Sequence, residues 1–172
     1  LFRSSAASDV YKRQSIDNPE ISVLFADIVN FTVMSEKLSA ENIVGFLDDM
    51  FSKFDELTEK YEVEKIKTIG DAYMVVSGLT SENRSHAAIL FEFGQELLKI
   101  ASNYKDHKGE PITLRIGINS GPAVSGVIGK SKFSFDIWGD TINTAARLES
   151  YGVPSRIHMS EKTFELINQN IE

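Results

Sequence analysis

The 172-residue chain contains no cysteine. That absence removes disulfides, thiolate metal sites and cysteine nucleophiles together, and is compatible with a reducing compartment. Nor does the sequence contain an apolar run of the roughly 18 residues that a membrane-spanning helix needs, so any membrane anchor is expected outside this stretch. Positive charge is scarce: 18 Lys and Arg stand against 25 Asp and Glu, for a net charge of −7. A surface that grips nucleic-acid phosphates by counterion release needs the opposite balance. No nucleic-acid partner is therefore expected, and a small anionic ligand would require a divalent cation or local basic residues. Internal repeats and low-complexity tracts are also missing. What remains is a globular composition, 42% hydrophobic and 25% charged, of a length that suits one domain.

Residues 1–14, LFRSSAASDVYKRQ, carry neither a helical nor a strand period. They read as a non-native or disordered leader, which leaves 15–172 as the folded domain. ISVLFA, 21–26, is a short apolar run ending at Asp27 and predicts a buried strand. A short helix around 30–38 is expected next, then a longer one capped by Ser39. In that longer helix Ile43, Leu47, Met50, Phe54, Leu57 and Tyr61 recur at three- and four-residue spacing. Strands at 63–68 and 72–76 flank Gly70 as a hairpin. A second amphipathic helix runs from Ser85 to about Tyr104. ITLRIGI and NSGPAVSGVIG then read as a strand pair with Gly and Pro at its turn. A helix from Asp140 that stops at Gly152, a strand at RIHMS and a helix from Ser160 complete the chain. This order predicts an α+β fold: a ferredoxin-like βαββαβ core, a mostly antiparallel sheet with helices packed on one face, and an extra C-terminal strand and helix.

Three segments carry chemistry. In FADIVNFT, 25–32, Asp27 ends a buried strand and offers a carboxylate to a hard cation, while the backbone amides opening the next helix, at Phe31 and Thr32, offer donors to phosphate oxygens. Asp27 could equally be a helix-capping residue. In GDAYM, Asp71 follows the hairpin bend and could be no more than a turn residue; converging with Asp27, it would make a Mg²⁺ site. In FDIWGDTINTAARLES, Asn143 and Arg147 lie four apart on one helical face, either addressing a common ligand or forming an ordinary exposed polar pair.

Taken together, FADIVNFT, KTIGDAYMVVSG, LRIGINSGPAVSGVIG and FDIWGDTINTAARLES resemble, in order and spacing, the catalytic domain of the class III nucleotidyl cyclases, the enzymes that make cyclic AMP or cyclic GMP. The likeness runs over residues 21–159. It implies that Asp27, Asp71 and the Ile28 carbonyl hold two Mg²⁺ ions, for which Mn²⁺ can substitute. It implies that Asn143 orients the ribose, that Arg147 stabilises the transition-state phosphate, and that Arg115 makes a further triphosphate contact; a strand-surface Arg paired with a nearby acid is the plainer reading of Arg115. Lys67 and Asp136 fall at the family's purine-reading positions and match adenine rather than guanine. The resemblance therefore implies an adenylyl cyclase acting on ATP, built as a head-to-tail homodimer with shared active sites, in the cytoplasm, with any membrane anchor elsewhere in the parent protein. A further triphosphate-binding Lys of the family is not identified before Glu172, so the domain is expected to be truncated at its C-terminus.

Guanylyl cyclase activity is the nearest alternative, and an inactive cyclase-fold regulatory domain is a second. A diguanylate cyclase would need a GG[DE]EF hairpin where this chain reads TIGDAYM. His86, His107 and His158 lack metal-ligand spacing, and Trp138 is expected in the core or at a dimer interface.

Overall fold

The computed structural model describes residues 15–79 and 85–169; the proposed leader lies outside them. In chain order the elements are β1 (Ser15–Ile28), α1 (Phe31–Lys37), α2 (Ala40–Tyr61), β2 (Glu64–Ile69), β3 (Ala72–Ser77), α3 (His86–Ser102), β4 (Leu114–Ile128), β5 (Ser134–Trp138), α4 (Asp140–Ser150), β6 (Arg156–Met159) and α5 (Glu161–Gln169). The strands form one six-stranded sheet in the order β2-β3-β1-β4-β5, with β6 also paired to β4. All pairings are antiparallel except that of β6 with β4. This is the expected α+β arrangement around a βαββαβ core.

Alternation along β1 sorts its side chains between two cores. Leu24, Ala26 and Ile28 join Met50 and Phe54 of α2 and Leu90, Phe93 and Leu97 of α3 in the larger core. Ser39 caps α2 as its sequence predicts, its hydroxyl accepting from the Asn42 amide at 3.2 Å. Ile21, Val23 and Phe25 point the other way, into a smaller core with Met74, Val76, Ile137 and Ala145. Ala145 belongs to α4, so α4 covers the face opposite α2 and α3 rather than sharing theirs. Gly117 of β4 makes that packing possible. A Cβ there would overlap the Glu149 backbone nitrogen and stand 2.6 Å from the Ala145 carbonyl oxygen, so only glycine lets the helix rest directly on the strand.

The C-terminal half of the sheet differs from expectation in one respect. NSGPAVSGVIG is no separate strand after a turn, because β4 continues through Gly121 and Pro122, and its hairpin partner is SFDIW. Proline is tolerated because Pro122 falls where ladder partners run out. On one side β6 pairs with Arg115–Ile118 and β5 with Val124–Ile128. On the other, the β1 register shifts between Asn18 and Ile21. A proline in such a gap costs no ladder hydrogen bond, and irregularities of this kind bend a sheet.

A polar chain running inwards from exposed Glu20 ties the far end together. Glu20 contacts His86 Nε2 at 3.0 Å, His86 Nδ1 contacts the Ser22 hydroxyl at 2.7 Å, and hydroxyl contacts continue from Ser22 to Ser120 and on to Thr163 of α5. Among the described residues no helix is long and apolar enough to cross a membrane.

Candidate active site

Lys67 and Asp136 are 69 residues apart and lie on β2 and β5, opposite ends of the hydrogen-bonded strand order. Their side chains nevertheless meet, Lys67 Nζ donating to Asp136 Oδ2 at 2.8 Å. The sheet therefore curls over the smaller core until its outer strands touch through side chains. The Asp136 carboxylate is further fixed because its other oxygen accepts from the Ile137 amide at 2.8 Å.

The two predicted cation-binding carboxylates also converge. Gly70 takes a positive φ of 60° at the β2–β3 turn, a conformation that suits glycine, and the turn carries Asp71 back towards the end of β1. Asp71 Oδ2 accepts from the Ile28 amide at 3.2 Å, one residue from Asp27. Burial raises the Asp71 pKa, the Ile28 amide opposes that rise, and the nearby negative charge of Asp27 adds to it. Asp27 Oδ1 is buried without a hydrogen-bond partner. Two carboxylates brought together with mutual repulsion are what a hard cation requires, so the donors fit Mg²⁺. Among the described residues no three His, Asp or Glu side chains are arranged to hold a metal by themselves. A cation here would draw its other oxygens from the Ile28 carbonyl, water and ligand phosphates. The α1 helix opens at Phe31, so the Phe31 and Thr32 amides belong to a first turn without intrahelical acceptors.

Asn143 and Arg147 share the exposed face of α4. Arg147 contacts Thr144 at 3.1 Å and Asp140 at 3.8 Å. Arg115 pairs in register with Asp27 across the β1–β4 ladder, and its positive charge acts on Glu149. Its surroundings are thus acidic.

The family model described as the adenylate and guanylate cyclase catalytic domain matches residues 12–172. The chain belongs to this family. An adenylate cyclase of Mycobacterium bovis is 40% identical to the cyclase domain over 151 residues, which cover 88% of this chain and 34% of that protein. Guanylate cyclase 2D of Rattus norvegicus is 41% identical over 151 residues, covering 86% of this chain and 14% of that protein. Among solved structures, the catalytic core of a rhodopsin-guanylyl cyclase with converted specificity, in complex with ATPαS, matches with a TM-score of 0.84 at 35% identity, over 91% of this chain and 85% of that one. The cyclase domain therefore spans about a third of the length of one curated relative and far less of the other.

The site contains one residue that sequence reasoning missed. Glu149 is only 7% exposed, and its Oε1 is buried without a partner. A signal for it was present, since Thr141, Ala145 and Glu149 recur every four residues along the buried stripe of α4. Burial first, and contact with the Asp27 carboxyl second, push the Glu149 pKa from its ordinary 4.5 up to about 8. Asp71 adds to the rise and Arg115 opposes it.

An acid with a raised folded-state pKa binds more protons folded than unfolded between its two pKa values, and stability then falls as pH rises. The metal-free cyclase domain should accordingly lose thermal stability from about pH 5 to about pH 8. Glu149→Gln should flatten that slope in melting curves recorded with chelator; an unaltered slope would contradict the assignment.

Proposed function

We propose that this domain is an adenylyl cyclase, converting ATP to 3′,5′-cyclic AMP and pyrophosphate. The observation that carries the reading is the 2.8 Å pair of Lys67 and Asp136. Adenine presents an acceptor at N1 and a donor at its 6-amino group, and this pair presents a donor and an acceptor side by side. Guanine presents the reverse, so both contacts would become mismatches. Each unpaired, desolvated group costs about 1–3 kcal/mol. Overall identity does not discriminate, because adenylate and guanylate cyclases match about equally; the reading is supported by the chemistry of the side chains at positions 67 and 136.

In this reading Asp27, Asp71 and the Ile28 carbonyl would hold two Mg²⁺ ions, with Mn²⁺ able to replace them. When bound, the ions supply charge neutralisation at the triphosphate and acidify the ribose 3′-hydroxyl. The 3′-hydroxyl gives up its proton to solvent and its oxygen bonds to the α-phosphorus as the bond to pyrophosphate breaks, and no protein nucleophile is required. Arg115 and the Phe31 and Thr32 amides steady the triphosphate, the Asn143 amide orients the ribose, and the fixed charge of Arg147 stabilises the developing phosphate charge.

The arrangement of α4 supports sites shared between two copies. Glu149 faces Asp27, and a residue two positions earlier on a helix points roughly 200° away around the axis. Arg147, with 62% of its side chain exposed, therefore faces away from the Asp27 of its own protomer and is available to a partner. Exposed Phe133, Phe135, Trp138 and Tyr151 provide apolar surface for such a contact. Chromatography of the products formed from ATP and from GTP with Mg²⁺ tests the proposal. Cyclic AMP should dominate, and cyclic GMP as the main product would overturn it.

A further inference from the structure

Two features of Glu149 find no use in the chemistry above: its burial and its contact with the Asp27 carboxyl group. A carboxyl group is seldom buried without a strong partner. This one is brought in by a specific device, the bare Cα of Gly117, which lets the last turn of α4 lie on β4. Gly117 lies two residues along β4 from Arg115, which pairs with Asp27 in register. The side chains of Asp27, Arg115 and Glu149 thus occupy one face of the sheet, under the end of α4.

We propose that Glu149 is a positioning residue for the cation site: it lies against Asp27 from the end of α4 and holds that carboxylate turned towards Asp71. The proposal rests on the reading of Asp27 and Asp71 as cation ligands. It makes Glu149 a support rather than a ligand. Second-layer groups that orient a metal ligand are worth about 10–100-fold in affinity or activity. The same helix would then do two jobs, its buried face setting the cation site of its own protomer and its exposed face carrying Asn143 and Arg147.

The test is calorimetric titration of the nucleotide-free protein with Mn²⁺, with melting temperatures recorded alongside. Glu149→Gln, which keeps the planar shape and polar reach, should bind Mn²⁺ within about 2-fold of the parent, whereas Glu149→Leu, which fills the space but cannot engage Asp27, should bind about 10-fold or more weakly while remaining folded. Glu149→Leu with parental Mn²⁺ affinity would overturn the proposal. So would Glu149→Gln weakened as far as Glu149→Leu. Asp27→Asn is the control that separates the two layers of the argument. If it abolishes Mn²⁺ binding while Glu149→Leu does not, only the role of Glu149 falls; if Asp27→Asn binds like the parent, the cation site itself is misassigned.

Discussion

Replacing Lys67 with Glu and Asp136 with Cys together should turn the domain from ATP towards GTP. The ratio of kcat/KM for the two nucleotides should move by about one and a half to four orders of magnitude, as expected when two matched contacts become mismatches of about 1–3 kcal/mol each. The fold should tolerate the exchange. Lys67 and Asp136 are partly solvent-exposed, with side-chain exposures of 44% and 22%, and such ion pairs contribute at most about 1 kcal/mol to stability. The double variant is preferable to Lys67→Glu alone, which would set two carboxylates against each other. Product ratios from competing ATP and GTP supply the measurement, and an unchanged preference would refute the base-reading roles.

The second large effect concerns assembly. Asp71→Asn removes a proposed cation ligand and Arg147→Ala removes the proposed phosphate-stabilising charge, so each variant alone should be nearly inactive. If every site takes Asp71 from one protomer and Arg147 from its twin, a mixed dimer contains one site with both defects and one with neither. Random equal mixing makes half the dimers mixed, and about one quarter of the parental activity should return. Activity no greater than the sum of the two variants assayed separately would place both residues in a single-chain site. The outward face of Arg147, opposite a Glu149 turned in towards Asp27, is the structural reason to expect recovery.

Much of this domain was legible in its sequence because local rules and long-range packing agreed there. The stripe from Ile43 to Tyr61 specified α2, Ser39 capped it, and Gly70 marked the bend that carries Asp71. Reading failed where tertiary context overrode local signals. Gly121 and Pro122 look like a turn in isolation, yet β4 continues through them, because Gly121 pairs with Ile21 of β1 and Pro122 falls in the register shift of that ladder. Period alone could not assign α4 to the opposite face, since an amphipathic helix names the side it buries but not which side of a sheet receives it. Glu149 was overlooked because a Glu near a helix end usually faces water; only the missing side chain of Gly117, distant in sequence, reveals where it goes.

The curl of the sheet has an effect on how a ligand would enter. Strands β2 and β5 share no backbone hydrogen bonds in the described structure and meet through Lys67 and Asp136, so the proposed base-reading groups form the clasp of an open cuff. Each quenches the other while no base is present. On the proposed reading, an arriving adenine would have to prise that clasp apart and take over both halves, and a nucleobase able to satisfy only one of them would leave its mate stranded.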